Sequence, residues 1–395
     1  MSFIPYGKQC IEDDDIQAVV EVLKSDYLTT GPKVAEFEKA LCEYTGAKYC
    51  VAVANGTAAL HLASLALLEK DDKVLTTPNS FVATSNSILY AGAKPIFVDI
   101  KEDGNIDLDL CEKYLKNDKS IKAIYGVHFS GNPLNQKKLK ELKEKYKIVI
   151  LEDCAHSLGA VFDGIKAASC ANSDYSILSF HPVKHMTTGE GGAITTNDEN
   201  IYKKLLSLRA HGIVRDEKNI QDKCMAYDRN NNLNPWYYEM QELGFNYRIT
   251  DFQCALGLSQ IKKLDSFIKR RKEIAKRYDD AFRDNEHIKP LYLFDGNSSY
   301  HLYVIRVDFE KLKITKAELF KKMREKNIGL QLHYIPINKQ PFYKTLGFGS
   351  ENTPIMDKYY KEAFSLPMYP CMKDDEQRFV VDSVADILKL AKKQI

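Results

Sequence analysis

The chain has 395 residues, enough for two domains and a sizeable core. Hydrophobic residues make up 44% and charged residues 28%, the composition of an ordinary globular protein. Its 56 Lys and Arg nearly balance 54 Asp and Glu, so a formal net charge of +2 gives no long-range pull toward nucleic acid or an acidic membrane. Basic runs such as Lys137-Lys138 and Lys269-Arg270-Arg271-Lys272 fall in helical patterns with interleaved acids and read as solvated faces. The opening residues Met1 to Tyr6 lack the basic stretch and apolar core of a secretory leader. No apolar run approaches the ~18 residues of a membrane span. Nine scattered cysteines contain no Cys-x-x-Cys pair, and such an odd set reads as reduced thiols in cytoplasm.

From about residue 13 to 210 short apolar runs alternate with helix-period segments. The periodicity predicts helices over 14–24, 33–44, 58–67, 80–91, 108–116, 136–146 and 199–209. Runs rich in Val and Ile at 49–54, 73–77, 95–99, 123–128, 148–152, 175–180 and 192–196 read as strands. This alternation predicts an α/β domain, a mostly parallel sheet with helices on both faces. Residues 212–246 are polar, Asn-rich at 230–232 and aromatic at 236–238, and read as a long loop with a functional or partner-contacting role. Beyond Thr250 the pattern predicts helices over 251–262 and 265–282, a strand over 300–307, a helix over 316–326, a strand near 330–333 and a closing helix from Asp374. That tail reads as a smaller α+β domain, dividing the chain into 1–250 and 251–395. There is no internal repeat and no low-complexity tract.

Open parallel sheets bind ligands outside the carboxyl ends of their strands. Three motifs fall at such ends. Asn55-Gly56-Thr57 opens the helix after the first strand, where free N–H groups suit a phosphate. Glu152-Asp153-Cys154-Ala155-His156 closes a buried strand, and a carboxylate there favours a protonated ring nitrogen. Ser179-Phe180-His181-Pro182-Val183-Lys184, followed by Gly189-Glu190-Gly191-Gly192, sets a lysine just past another strand. Desolvation at such a position makes a lysine a Schiff-base nucleophile. Each motif alone has a plainer reading: a glycine-assisted helix cap, a capping or metal-site Asp, a surface lysine. His181 and His185 are four residues apart, but Pro182 breaks the helix a metal pair would need. His61 reads as packed or exposed rather than functional.

Read together, Asn-Gly-Thr-x-Ala-Leu, Glu-Asp-x-Ala-His and Ser-Phe-x-x-x-Lys resemble the DegT/DnrJ/EryC1/StrS family of sugar aminotransferases, which depend on pyridoxal 5'-phosphate (PLP). Thr77-Pro78-Asn79-Ser80-Phe81 and Gly244-Phe245-Asn246-Tyr247-Arg248 extend the likeness, which runs from Leu28 to the His333-Tyr334-x-Pro336 segment. The resemblance implies a fold-type I, aspartate aminotransferase-like large domain. It matches Lys184 to the Schiff-base lysine, Asp153 to the partner of the pyridine nitrogen, and Phe81 to the aromatic stacked on the ring. Ser179, Gly56, Thr57 and Ala58 match phosphate ligands, and His156 a residue near the ring hydroxyl. Asn246 matches an asparagine that reaches the phosphate from the neighbouring subunit, implying a cytoplasmic homodimer with shared sites. Arg248, His333 and Tyr334 are matched to the nucleotide-sugar pocket.

Within the family, Ser-Phe-His-Pro-Val-Lys-His, Arg209-Ala210-His211-Gly212-Ile213 and Pro235-Trp236-Tyr237-Tyr238-Glu239 look like the branch that serves pseudaminic acid biosynthesis. That branch aminates a UDP-linked 4-keto-6-deoxy hexose, with L-glutamate as the family's amino donor. The resemblance thus implies a transaminase with ping-pong kinetics, no nucleic-acid partner and no membrane. Alternatives are an aminotransferase for another 3- or 4-keto nucleotide sugar and a PLP-binding regulator, the latter without any helix-turn-helix in its support. A nicotinamide-dependent oxidoreductase fails for want of Gly-x-Gly-x-x-Gly after the first strand.

Overall fold

The computed structural model describes residues 2–390. Seven strands form the main sheet: β1 Tyr49–Val53, β2 Lys73–Thr76, β3 Lys94–Phe97, β4 Ile121–Val127, β5 Val149–Asp153, β6 Tyr175–Ser179 and β7 Gly192–Thr196. Their order is β1-β7-β6-β5-β4-β2-β3. The pairs from β6 through β3 are parallel, and only β7 runs antiparallel to both its neighbours. The seven strand runs and seven helices read between residues 13 and 210 are all present, with ends shifted by a few residues.

Strands buried on both faces read as continuous apolar runs, and that is how β4 and β5 pack. Val51, Val53, Tyr125, Leu151 and Ile177 meet helix Gly56–Leu67 on one face. On the other, Leu75, Ile124 and Ile150 meet the helices Leu108–Asn117 and Gln136–Tyr146. The sheet is thereby a middle layer, with Asp153 and Ser179 ending two of its parallel strands at the carboxyl edge.

Four expectations need correction. The helices expected at 251–262 and 265–282 are one helix, Asp251–Phe282, because no Gly or Pro interrupts 262–265 and Leu264 continues the buried stripe. Its first half packs Cys254, Leu264 and Ile268 against Phe37 and Phe180, while its second half gives Ile274, Tyr278 and Phe282 to a separate C-terminal core. The strand near 330–333 is absent: Gln331 makes only a single bridge to Ser365. The C-terminal α+β domain instead holds a three-stranded antiparallel sheet of β8 Ile288–Pro290, β9 Tyr303–Val307 and β10 Ala363–Leu366, in that order. The 212–246 loop has a short ladder at its base, Ile213–Val214 against Glu239–Met240, and one turn of helix at Lys223–Ala226. Among the described residues no helix is long and apolar enough to cross a membrane.

Candidate active site

At the carboxyl edge of β1, β4, β5 and β6 lies a cavity of about 750 Å³. Gly56, Thr57 and Ala58 enter it from the N-terminus of helix Gly56–Leu67. Asn55 caps that helix by accepting the Ala58 N–H at 2.8 Å, which leaves the earlier N–H groups for another acceptor. Ser179, the last residue of β6, faces this turn so closely that a Cβ on Gly56 would stand 3.2 Å from its Oγ. Only glycine keeps the cradle open there.

Asp153 ends β5 with its carboxylate in the same cavity. Thr84 Oγ1 donates to Oδ2 at 2.7 Å and the Ala155 N–H to Oδ1 at 3.1 Å, while the Thr84 and Ser80 hydroxyls lie 2.8 Å apart. The group is therefore held in one orientation by two donors. Behind it the strand is fixed from the far face. Buried Glu152 accepts from His128 Nε2 at 2.9 Å, from Ser173 Oγ at 2.7 Å and from Gln136 Nε2. A buried carboxylate needs such partners to stay charged.

Lys184 comes from the loop between β6 and β7 and lines the cavity with Asp153. Burial pulls its amine down to about 8, against the opposing attraction of Asp153 and with help from the Arg271 guanidinium. His156 stands beside it, with Nε2 at 3.1 Å from the Tyr334 hydroxyl and Nδ1 buried without a partner. Burial, and then the charge of Lys184, hold His156 well below its ordinary range. Phe81, 58% exposed at the cavity mouth, has its ring 6.3 Å from that of Tyr334. His333 is drawn down to about 3 by burial and shares a hydrogen bond of 2.8 Å with Ser365.

Ten of the residues singled out in the sequence thus line one cavity: Gly56, Thr57, Ala58, Phe81, Asp153, His156, Ser179, Lys184, His333 and Tyr334. Asn246 and Arg248 do not line it; Asn246 is exposed, and both sit on the segment that bridges Ala210 and Val53. Sequence reasoning missed Tyr6, Thr84, His301 and Gln331, which also line it. Their signals were slight, since each lies in a segment whose own pattern reads as ordinary helix, strand or terminus. His61 packs among Tyr90, Phe245 and Tyr247, as expected of a structural histidine.

A parallel sheet that gathers a lysine, a carboxylate and an open helix N-terminus at its carboxyl edge has the architecture of the fold-type I aminotransferases. The chain belongs to the DegT/DnrJ/EryC1/StrS aminotransferase family, whose model matches residues 9–385. It is 41% identical over 392 residues to the UDP-4-amino-4,6-dideoxy-N-acetyl-beta-L-altrosamine transaminase of Campylobacter jejuni, covering 99% of each chain. It is 37% identical to the spore coat polysaccharide biosynthesis protein SpsC of Bacillus subtilis, over 98% of this chain and 97% of that one. Among solved structures it is similar to Helicobacter pylori PseC, an aminotransferase of pseudoaminic acid biosynthesis, with a TM-score of 0.89 and 31% identity over 98% of this chain and all of that one.

Proposed function

We propose that this chain is a PLP-dependent aminotransferase that passes an amino group from L-glutamate to a UDP-linked 4-keto-6-deoxy hexose, the step found in pseudaminic acid biosynthesis. The observation that carries the reading is the convergence on one cavity of a lysine amine drawn down to about 8 and a carboxylate held by two donors. The site fits PLP by its donor set. The glycine-floored turn beside Ser179 suits the phosphate, Asp153 suits a protonated ring nitrogen, and the orphaned Nδ1 of buried His156 awaits a polar partner. When bound, PLP supplies the electron-accepting ring on which amino-group transfer depends.

The chain's own residues do the rest. With its amine near 8, Lys184 is neutral in about a tenth of molecules at pH 7, against well under ~0.1% for an ordinary lysine. Its amine would hold the cofactor, and when free it would serve as the base that moves the proton at the reacting carbon. Asp153 would keep the ring nitrogen protonated, and Phe81 would offer the ring an aromatic face. His333 and Tyr334 would serve the sugar, and the backbone N–H groups of residues 56–58 would hold the phosphate. Asn246, which does not line this chain's own cavity, would serve the site of a second copy in a homodimer. Likeness to the Campylobacter jejuni transaminase over the full chain supports the sugar assignment.

The test is direct. Purified protein given PLP should show a visible absorption band and, after borohydride, a reduced cofactor on the Lys184 peptide. Glutamate followed by a UDP-4-keto-6-deoxy-N-acetylhexosamine should then give an amino sugar detectable by mass. Amination of an epimeric or 3-keto UDP-sugar alone would replace the substrate, and absence of the Lys184 linkage would sink the enzyme.

A further inference from the structure

Lys184 is surrounded by imidazoles. His301, a residue with no part in the motifs above, is 3% exposed and lines the same cavity. Its ring centroid lies 4.3 Å from that of His156 and 5.6 Å from that of His185. His185 donates from Nε2 to the carbonyl of Ser299 at 3.1 Å, while His301 Nδ1 is buried without a partner. His156 and His301 line the cavity and His185 packs behind His301, so three rings from three segments back one side of it.

The fold goes to some length to deliver His301. Residues 298–301 lead into β9 and are buried throughout. The preceding Tyr300 has φ +50°, a left-handed conformation that an aromatic residue adopts only under constraint. Gly131, at φ +100°, lies so close that a Cβ there would stand 2.7 Å from the Tyr300 nitrogen and 2.9 Å from the His301 nitrogen. Ser299 N donates to the Gly131 carbonyl at 3.1 Å, and Arg271 Nη1 donates to the carbonyls of Tyr300 and His301 at 3.3 and 3.1 Å. Local strain kept by so many contacts marks a position whose geometry matters.

We propose that His301 is a positioning residue of this site, completing with His156 and His185 an uncharged wall that keeps water from the Lys184 amine. The inference deepens the reading of the cavity as a PLP site. The groups facing Lys184 are Asp153 from β5, His156 from the loop after it, His181 and His185 from its own loop, and Arg271 from the long helix. His301 precedes β9, and Tyr6, His333 and Tyr334 complete the shell. Glu190 of the same loop also lines the cavity, but Asp153 is the carboxylate that acts on the amine, and it favours the charged form. Burial is the larger influence and favours the neutral one, so a gap in the wall that admits water returns Lys184 toward ordinary lysine behaviour.

The full chain stripped of cofactor, reacted with trinitrobenzenesulfonate across pH and read at the Lys184 peptide by mass, reports the amine's titration without any turnover. The native midpoint is expected near 8. His301→Ala should raise it by about one unit, a tenfold loss of neutral amine at pH 7, whereas His301→Phe keeps a ring in the wall and should titrate with the native chain. A merely structural role would lower the unfolding temperature and leave the Lys184 midpoint where it was. An unmoved midpoint in His301→Ala, or an equal rise in His301→Phe, overturns the assignment. Should the alanine variant fail to fold, His301→Val opens a similar gap and carries the same expectation. A native Lys184 that titrates near 8 and responds to His301→Ala, yet takes no PLP, would sink the aminotransferase and leave the role of His301 standing.

Discussion

Two adjacent residues at the end of β5 do opposite work, and their chemistry separates accordingly. Asp153 faces the cavity, while Glu152 points to the far side and is wholly enclosed by His128, Gln136 and Ser173. Burial works against both charges of the Glu152–His128 pair. His128 nonetheless stands above the ordinary imidazole range, raised first by Cys154 and then by Glu152, and in turn holds Glu152 below the ordinary carboxylate range. The signs differ. The stability from Glu152 is present above its unfolded value and lost as pH falls through its lower folded one. That from His128 is complete below its unfolded value and lost as pH rises through its higher folded one. The pair's contribution should therefore be greatest between the two unfolded values, 4.5 and 6.5, and fall on both sides, already declining as pH rises through neutrality. Glu152→Gln leaves a buried imidazolium uncompensated and should cost about 3–5 kcal/mol in urea unfolding at pH 7. A loss within experimental error would show the pair to be dispensable.

Lys184 gives a second pH signature at the same scale. The neutral amine is the nucleophile, so capture of PLP by the cofactor-free chain should quicken as pH rises, with a midpoint near 8, and level off above it. Stopped-flow absorbance at the growing visible band measures this directly. Lys184→Ala should abolish the borohydride-stable linkage at every pH. A midpoint near 10 would mean that the amine is as well hydrated as any surface lysine.

The N-terminus of helix Gly56–Leu67 has the open geometry that a phosphate site needs. It is open because Asn55 satisfies only the Ala58 N–H, and because Gly56 has no side chain to fill the space before Ser179. In Gly56→Ala the new methyl would press on Ser179 Oγ, yet alanine favours a helix more than glycine does. Phosphate and PLP should then bind at least about tenfold more weakly while the thermal midpoint stays level or rises slightly. Calorimetric titration with inorganic phosphate separates this from general damage, and unchanged affinity would remove the cradle from the site. This element was legible in the sequence, as were β5 and β6, because each couples a buried apolar run to a chemically distinct end. Of the C-terminal sheet only β9, expected over 300–307, was legible. β8 and β10 are three and four residues long and carry no alternation of their own, so pairing with β9 alone makes them strands. Residues 330–333 show the converse: Leu330 to His333 are apolar enough to resemble a strand, but they turn into the cavity and leave only one bridge. Thr84 and His301 escaped the same way, since their contacts with Asp153 and His156 span 69 and 145 residues, read as 153 minus 84 and 301 minus 156.

At the scale of the whole molecule, a single chain leaves much apolar surface uncovered on the 212–246 excursion. Trp236 is 74% exposed and Leu243 78%, and Tyr238 and Met240 of the same excursion are exposed as well. Exposed apolar groups gathered like this mark an interaction surface, and Asn246 and Arg248 follow directly in the chain without entering its own cavity. A two-fold pair of chains would cover such a patch and lend residue 246 of each copy to the site of the other. Light scattering should then give the mass of two 45.0-kDa chains. Complementation tests the exchange itself. Lys184→Ala and Asn246→Ala chains, each inactive alone, form mixed dimers on unfolding and refolding together, and one site in each mixed dimer regains both native residues. Random pairing makes half the dimers mixed, so roughly a quarter of native activity should return. Recovery of none, from dimers shown by mass to be mixed, would mean that Asn246 serves its own chain, and the surface around Trp236 would then have a different purpose.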